Sequence, residues 1–316
     1  METNRKILEK AELALADIAG QNGILQTAQA QRFIKLLVKE SKVMGLATVT
    51  PLRAPKQLIN KTRFTSRVLR RGQEGTALSE GDRSKPTFTF VEHNAELFKA
   101  EVRITDEVLE DNIEGDQLRQ TVMSTLAERI ATDMDEIIVQ GDTTSVDDDL
   151  AAFDGLLALA TSNVVNAADV TLHKGILRDM LKTMPSEWLR NKGAMRFLTS
   201  VDAEIDYRDS LSDRMTMTGD QALAAVGSET AVVGYSGVPV IDIPLFPENI
   251  GTGSHCTNII LTDPKNIDVG IWRKIKVETD KDISAGVLVV VATLRFDVVY
   301  QEELAVVKAT NVQVSA

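Results

Sequence analysis

The side chains that could support catalysis lie close together at only one place in the sequence. Asp142 and Asp147–Asp149 are the only tight acidic cluster, and carboxylate oxygens are the ligands that hard cations prefer. The cluster lacks the central glycine and the terminal glutamate of a calcium-binding loop. We therefore favour a solvated loop, because runs of like charge are usually solvated. A metal-dependent hydrolase that uses these four aspartates stays open as a less favoured alternative.

The other nucleophilic and metal-ligating side chains are scattered along the chain. His93, His173 and His255 have no His-x-x-x-His or His-x-Glu spacing, so we interpret each as a surface or internally satisfied histidine. Cys256 is the single cysteine, which excludes an intrachain disulfide. Neither a Gly-x-Ser-x-Gly elbow nor a phosphate-binding loop motif occurs. We therefore predict a protein that is not an enzyme, with no catalytic, cofactor-binding or metal-binding residues.

Length and composition are those of an ordinary globular chain. The 316 residues are 43% hydrophobic and 26% charged, which is typical of soluble domains. The longest apolar run, residues 287–292, is far shorter than the roughly 18 residues of a membrane helix. The first ten residues lack the apolar stretch of a secretory signal. A net charge of −11 argues against nucleic-acid binding by the chain as a whole.

The charge is unevenly distributed. Residues 51–91 contain nine basic and three acidic side chains, whereas residues 101–160 contain three basic and 16 acidic ones. Such asymmetry suggests two surfaces that meet, within one molecule or between copies. Two independently solvated faces explain the same pattern, and both interpretations stay open at this point.

The N-terminal third predicts an arm followed by a long hairpin. Apolar residues at helical spacing up to Gly20 and again up to Gly45 predict two short helices, which are marginal unless they dock on another surface. Residues 61–71 and 86–91 alternate with strand period around a glycine-containing tip. A lone hairpin is barely stable in water. Phe64, Val68, Phe88 and Phe90 are too few to form a core, so the hairpin must lie on another surface.

The remaining two thirds predict one long helix and then mainly strands. Leu118, Val122, Leu126, Ile130, Met134, Ile137 and Ile138 form one apolar stripe over residues 116–140, with Gly141 just past the end. Residues 105–110 predict a capped helical turn. Further helices are predicted between Leu172 and Met184 and over 202–209. Strands are predicted over 193–199, 258–261, 267–272, 275–279, 287–300 and 303–308. This order of elements predicts an α+β fold.

These pieces, in this order, resemble the major capsid proteins of tailed bacteriophages, which have the Hong Kong ninety-seven shell fold. The likeness rests on the basic hairpin, on Lys99 to Asn112, and on the long helix ending at Gly141, Asp142 and Thr143. It continues through Asp154-Gly-Leu-Leu157, Gly237-Val-Pro-Val240, Thr262-Asp-Pro-Lys265, Val269 to Trp272 and Arg295-Phe-Asp-Val298. Each motif is degenerate, but the likeness spans nearly the whole chain.

The resemblance implies a domain organisation. Residues 1–50 would form an N-terminal arm, 51–98 an extended hairpin loop and its base, and 99–154 a peripheral domain built on the long spine helix. Residues 155–260 would form the axial domain, and 261–316 the peripheral-domain sheet and C-terminus. In this family the hairpin lies across the peripheral domain of a neighbouring subunit, which would give it the surface that it lacks.

The resemblance also gives candidates for intersubunit contact, where the basic hairpin would meet the acidic helix. The basic candidates are Arg63, Arg67, Arg70, Arg71, Arg83 and Lys85, and the acidic candidates are Glu128, Asp133, Asp135 and Glu136. We expect hydrophobic burial to dominate cohesion between subunits and the charges to select the register.

The function implied is self-assembly into hexamers and pentamers of an icosahedral phage head that encloses double-stranded DNA without sequence-specific binding. Only about fifty residues precede the hairpin, so we expect a separate scaffolding protein rather than a fused one, together with a portal and a possible decoration protein. Assembly would occur in the bacterial host cytoplasm, and the mature location would be the virion, with no membrane partner. The alternative on the same fold is an encapsulin-type nanocompartment shell.

Overall fold

The computed structural model describes residues 41–64, 67–72, 74–105, 118–212, 233–251, 253 and 255–314. The strands in chain order are β1 (Thr48–Leu52), β2 (Lys56–Arg63), β3 (Thr87–Asn94), β4 (Glu96–Thr105), β5 (Val164–Thr171), β6 (Arg196–Thr199), β7 (Gly234–Tyr235), β8 (Val238–Asp242), β9 (Cys256–Thr262), β10 (Ile267–Asp282), β11 (Val287–Tyr300) and β12 (Val307–Gln313). The α-helices are α1 (Lys42–Leu46), α2 (Leu118–Gln140), α3 (Leu156–Leu159), α4 (Lys174–Thr183) and α5 (Val201–Ser212). No helix in these ranges is long and apolar enough to cross a membrane.

A four-stranded sheet in the order β1-β10-β11-β4 packs against the long helix α2. Leu126, Ile130, Met134 and Ile138 follow one another at intervals of four residues, about one turn of α2, so they form one buried face. Every second residue of β11 from Leu288 to Phe296 is buried in the same core. The helix thus rests on the sheet through an apolar layer, as the periodicity predicted.

The end of α2 is fixed by two glycines that allow close backbone packing. Gly155 donates its N–H to the Gly141 carbonyl oxygen at 2.8 Å. A Cβ at Gly141 would lie 2.6 Å from the Phe153 carbonyl oxygen, and one at Gly155 would lie 2.6 Å from the Ile138 carbonyl oxygen. Only glycine therefore permits the loop that follows the helix to return against its last turn.

The second sheet has six strands in the order β5-β12-β9-β6-β8-β7 and carries its own core. Helix α4 buries Ile176, Leu177 and Met180 against it. The C-terminal strand β12 lies inside this sheet, between β5 and β9. The chain therefore builds the four-stranded sheet with β10 and β11 and then returns to complete the six-stranded one.

The hairpin is a separate two-stranded sheet of β2 and β3, paired from Lys56 opposite Asn94 to Arg63 opposite Thr87. The predicted first strand, 61–71, is wrong in its limits, because pairing begins at Lys56 and ends at Arg63. The start of the strand was not predicted because Leu58 and Ile59 are both apolar although they lie on opposite faces. Two neighbouring apolar residues interrupt the alternation of apolar and polar residues by which a strand is recognised.

Several other boundaries also differ from the sequence predictions. The two strands predicted over 267–272 and 275–279 are one strand, β10, whose pairing with β11 shifts between Trp272 and Lys276. The predicted strand over 303–308 begins as a 3-10 turn, Glu303–Ala305, before β12. Thr105, the predicted start of a helical turn, ends strand β4. Strands β1, β4, β5 and β7 were not predicted. The helices predicted before Gly20 and from Phe33 to Leu37 lie outside the described residues.

Candidate intersubunit surfaces

The two faces of the hairpin differ in their surroundings. In an antiparallel pair, residues directly opposite each other share a face, so Leu58, Phe88 and Phe90 lie on one side together with polar neighbours. Leu58 is 55% exposed, Phe88 72% and Phe90 65%. Three large apolar side chains therefore point away from the described part of their own chain.

The opposite face of the hairpin is held against the body by ion pairs. Arg63 Nη2 donates to Glu187 Oε1 at 2.5 Å, and its guanidinium carbon lies 5.0 Å from the centroid of the Trp188 ring. Glu302 Oε2 is 3.8 Å from Arg63 Nη1 and 3.9 Å from Lys61 Nζ. Arg63, a predicted intersubunit contact, thus binds partners within its own chain, because it ends the strand on the inward face.

The other basic candidates lie beyond the paired strands. Arg67, Arg70, Arg71, Arg83 and Lys85 are all exposed. Arg70 Nε is 3.7 Å from Asp82 Oδ1, with both side chains at least two fifths exposed, so this pair contributes little free energy. Together with exposed Phe64, Val68, Leu69 and Leu78, they make the far part of the hairpin both basic and apolar.

The acidic candidates on α2 divide into two groups. Glu128 is exposed, and Asp133 and Glu136 are half-buried. Asp135 is only 7% exposed and is not a surface residue. Its carboxylate accepts from Ser41 Oγ at 2.5 Å and from Lys42 N at 3.0 Å. Burial raises the pKa of Asp135, although these hydrogen bonds oppose the rise. Asp135 therefore anchors the start of α1, and its buried carboxylate is not part of the surface that this subunit exposes to a neighbour.

A groove runs between α2, the β4–β11 edge of the sheet and the loop that follows α2. Its apolar lining includes Phe98, Ile130, Met134, Ile137 and Leu294. Asp133, Glu136, Asp147 and Asp149 stand around it, accompanied by Lys99 and Arg129. The groove thus combines an apolar floor with an excess of acidic side chains, which is the complement of the far part of the hairpin.

The aspartates considered for metal binding serve their own loop. Asp142 Oδ1 accepts from the N–H and the hydroxyl of Thr144 at 2.8 and 2.6 Å, which lowers the pKa of Asp142. Asp147 Oδ1 accepts from the Asp149 N–H at 3.0 Å. Within the described ranges no three His, Cys, Asp or Glu side chains converge in a way that could hold a metal ion. The arrangement is that of a turn whose carboxylates satisfy backbone donors.

The chain is similar in sequence and in fold to known proteins. The model of the phage capsid family matches residues 21–311. A putative prophage capsid protein of Bacillus subtilis, YqbE, is 38% identical over 98% of this chain and 99% of its own length. In fold, the chain is similar to the procapsid protein of satellite phage P4 (TM-score 0.64, 11% identity, 100% of this chain and 99% of that one).

It is also similar in fold to the SrpI encapsulin of Synechococcus elongatus (TM-score 0.56, 12% identity, 87% of this chain and 88% of that one). Sequence identities of 11% and 12% support a similarity of fold alone. The family is shown by the match to the family model and by the relative from Bacillus subtilis. The chain belongs to the phage capsid family, whose members are structural proteins that assemble into the shell of the virion.

Proposed function

We propose that this capsid subunit forms hexamers and pentamers of an icosahedral head that encloses double-stranded DNA, and that the outward face of each hairpin is covered by a neighbouring subunit. The observation that carries the proposal is the exposure of Leu58, Phe88 and Phe90 on one face of a two-stranded sheet. A hairpin of two strands is unstable alone, and its own body contacts only the other face. A second copy supplies the missing surface without any further component.

The groove beside α2 is the acceptor surface that we propose. Its apolar floor suits Phe64, Val68 or Leu69 of the incoming hairpin, and Asp133 and Glu136 suit the arginines that accompany them. A hairpin of one subunit on a groove of the next is a heterologous contact, and a series of such contacts closes into a ring when the rotation allows it. Charge then selects the register while apolar burial supplies cohesion.

The strand pairing supports a division into peripheral and axial domains. The four-stranded sheet with α2 would be the peripheral domain, and the six-stranded sheet the axial domain around capsomer centres. Because β12 pairs with β5 and β9, we now assign Val307–Gln313 to the axial domain and not to the peripheral one. A separate scaffolding protein, a portal and a decoration protein remain proposed partners, with assembly in the host cytoplasm.

Replacing both outward phenylalanines tests the docking of the hairpin. Burial of a whole phenylalanine side chain contributes about 1.5–3 kcal/mol. About two thirds of Phe88 and Phe90 are exposed, so Phe88→Ser with Phe90→Ser should remove about 2–4 kcal/mol per contact, or roughly 30- to 1,000-fold in association. We expect the double variant to keep its circular dichroism spectrum and to remain as small species in sedimentation and electron microscopy.

The matched control is Asn60→Ser, which changes a polar residue on the same face, opposite Phe90. This variant should assemble as the wild type does. Shells of normal yield from the Phe88→Ser, Phe90→Ser variant would show that the outward face is not a docking surface, while the family membership would be unaffected.

The similarity in fold to the SrpI encapsulin supports a second candidate, a nanocompartment shell. The two candidates differ in content. Shells isolated from the native host should contain nuclease-protected duplex DNA if the chain builds a phage head, and a cargo protein if it builds a compartment.

A further inference from the structure

One side chain of the hairpin is inserted into the body of the protein. Among the described residues between Lys56 and Asn94, only His93 is buried, with 0% of its surface exposed. It lies one residue before the end of β3, where the chain leaves the hairpin and passes through buried Ala95 into β4. The position of His93 is therefore the point at which the hairpin joins the four-stranded sheet.

Three strands of that sheet form the site around the imidazole. Gly270 of β10 is paired with Thr50 of β1 on one side and with Asp297 of β11 on the other, so these residues share a face. Asp268 lies two residues before Gly270 on the same face. Gly270 leaves room for the ring, because a Cβ there would lie 2.7 Å from His93 Nδ1.

The two carboxylates flank the ring and are themselves held in place. Asp268 Oδ2 is 3.7 Å from His93 Nε2, and Asp297 Oδ2 is 3.5 Å from Nδ1. Thr50 Oγ1 donates to Asp268 at 2.6 Å. The backbone N–H groups of Asn94 and Val298 each donate to Asp297 at 2.8 Å. Asp297 thus lies within ion-pair distance of the imidazole and also accepts a hydrogen bond from the last backbone amide of the hairpin.

This arrangement favours a charged imidazole in spite of its burial. Burial by itself lowers the pKa of His93, but the two carboxylates outweigh it and raise the pKa to about 9. Burial likewise opposes ionisation of Asp268, yet His93 and Thr50 hold the pKa of this carboxyl below its usual range. In the described residues, Asp268 and Asp297 are the charged groups that face the ring.

We propose that His93 is a proton-controlled tether, which holds the base of the hairpin to the body while its ring is protonated and releases it when the proton is lost. With the proton present, one cation lies between two anions. Without it, two carboxylates face each other across a neutral ring in a buried site, and their repulsion is no longer compensated. The tether concerns the angle and mobility of the hairpin and does not depend on where the far part of the hairpin docks.

The direction of the pH dependence follows from the raised pKa. In the closed state the hairpin is held to the body, and in the open state it is released. A group whose pKa is higher in the closed state than in the open state stabilises the closed state fully at pH values below its open-state pKa. This stabilisation is lost as the pH rises through the closed-state pKa. If His93 has the ordinary histidine pKa of about 6.5 in the open state, the equilibrium constant for closing should fall on the order of 50- to 100-fold between about pH 7 and pH 10. The tether is therefore firm at neutral pH and weak in alkali.

Hydrogen exchange of the full-length chain tests the tether. Exchange rates would be measured by mass spectrometry from about pH 6.5 to 10 on peptides covering β2 and β3 and divided by the intrinsic rate at each pH, with β9 as internal reference. We expect wild-type protection at β3 to fall progressively from about pH 6.5 and to level off above about pH 9. His93→Lys keeps a positive charge up to its ordinary pKa of about 10.4, so its protection should stay level over this range.

His93→Gln, which cannot carry charge, should show low protection at β3 that does not vary with pH. The matched control is His173→Gln, since His173 is exposed at the N-terminus of α4, which packs on the other sheet, and this variant should follow the wild type. Level wild-type protection up to pH 10 would overturn the proposal, as would a pH transition that persists in His93→Lys. If His93→Gln does not fold, the comparison of wild type with His93→Lys decides the question alone.

Discussion

Gly270→Ala should destabilise the subunit, although glycine inside a strand is normally a poor choice. Where space allows, alanine in place of a strand glycine gains about 0.5–1 kcal/mol, because glycine loses more backbone entropy on folding. Here the added methyl would lie 2.7 Å from His93 Nδ1, 2.9 Å from Leu52 Cδ1 and 3.1 Å from His93 Cε1. Neither neighbour can easily withdraw, because His93 is wedged between two carboxylates and Leu52 is buried.

Overpacking of this kind typically costs about 1–3 kcal/mol, which exceeds the entropic gain. We therefore expect a net loss of about 1–2 kcal/mol in the free energy of unfolding of the full-length chain, measured by urea titration with far-ultraviolet circular dichroism. The matched control is Gly193→Ala, whose Cβ would have no atom within 4 Å and which should be neutral or slightly stabilising.

A double-mutant cycle separates the contact with His93 from other effects of the methyl group. In a His93→Ser background the ring is gone, so Gly270→Ala should cost at least about 1 kcal/mol less than in the wild type. Additive effects of the two substitutions, or equal losses in Gly270→Ala and Gly193→Ala, would refute the reasoning that Gly270 is required by the imidazole.

Two further predictions concern the basic side chains of the hairpin. Arg63→Gln removes the contacts to Glu302 and Trp188 and should lower the free energy of unfolding by about 1 kcal/mol, since the pairs are partly exposed; an unchanged urea midpoint would show that they contribute nothing. Arg70→Glu with Arg71→Glu should leave the subunit folded but slow assembly in light scattering, more strongly at ~0.05 M salt than at ~0.5 M, where the screening length is about 4 Å. Identical particle yield at both salt concentrations would remove charge matching as the source of register.

The sequence predicted the kinds of elements better than their limits. The stripe along α2 was visible because one buried face repeats every three to four residues. The hairpin was visible from its tip and its phenylalanines, but its limits were not, because Leu58 and Ile59 are neighbours on opposite faces. Strand β4 was not predicted, although its inward Phe98, Ala100, Val102 and Ile104 alternate with charged outward residues, which is the period of a half-buried strand.

The roles of Asp135 and His93 both depend on contacts between distant parts of the chain. Asp135 has the same acidic character as Asp133 and Glu136, and only the arrival of Ser41 at α2 makes it a buried anchor. His93 carries no motif because its partners, Asp268 and Asp297, lie on strands near the other end of the chain. The nearest sequence signal is Gly270 inside a strand, since an isolated glycine there often marks close approach of another group.

The two faces of the hairpin have different roles, and this difference limits which of its basic residues can contact a neighbouring subunit. Lys61, Arg63 and His93 lie on the inward face and are bound by acids of their own chain, so they set how the hairpin leaves the body. Of the basic residues predicted to contact a neighbour, those beyond Arg63 remain exposed. In the assembly that we propose, charge matching would therefore act at the far part of the hairpin, whereas exposed Leu58, Phe88 and Phe90 would supply cohesion nearer its base. It follows that changes at Arg70 and Arg71 should alter how fast and in which register subunits meet, and changes at Phe88 and Phe90 should alter whether they stay together.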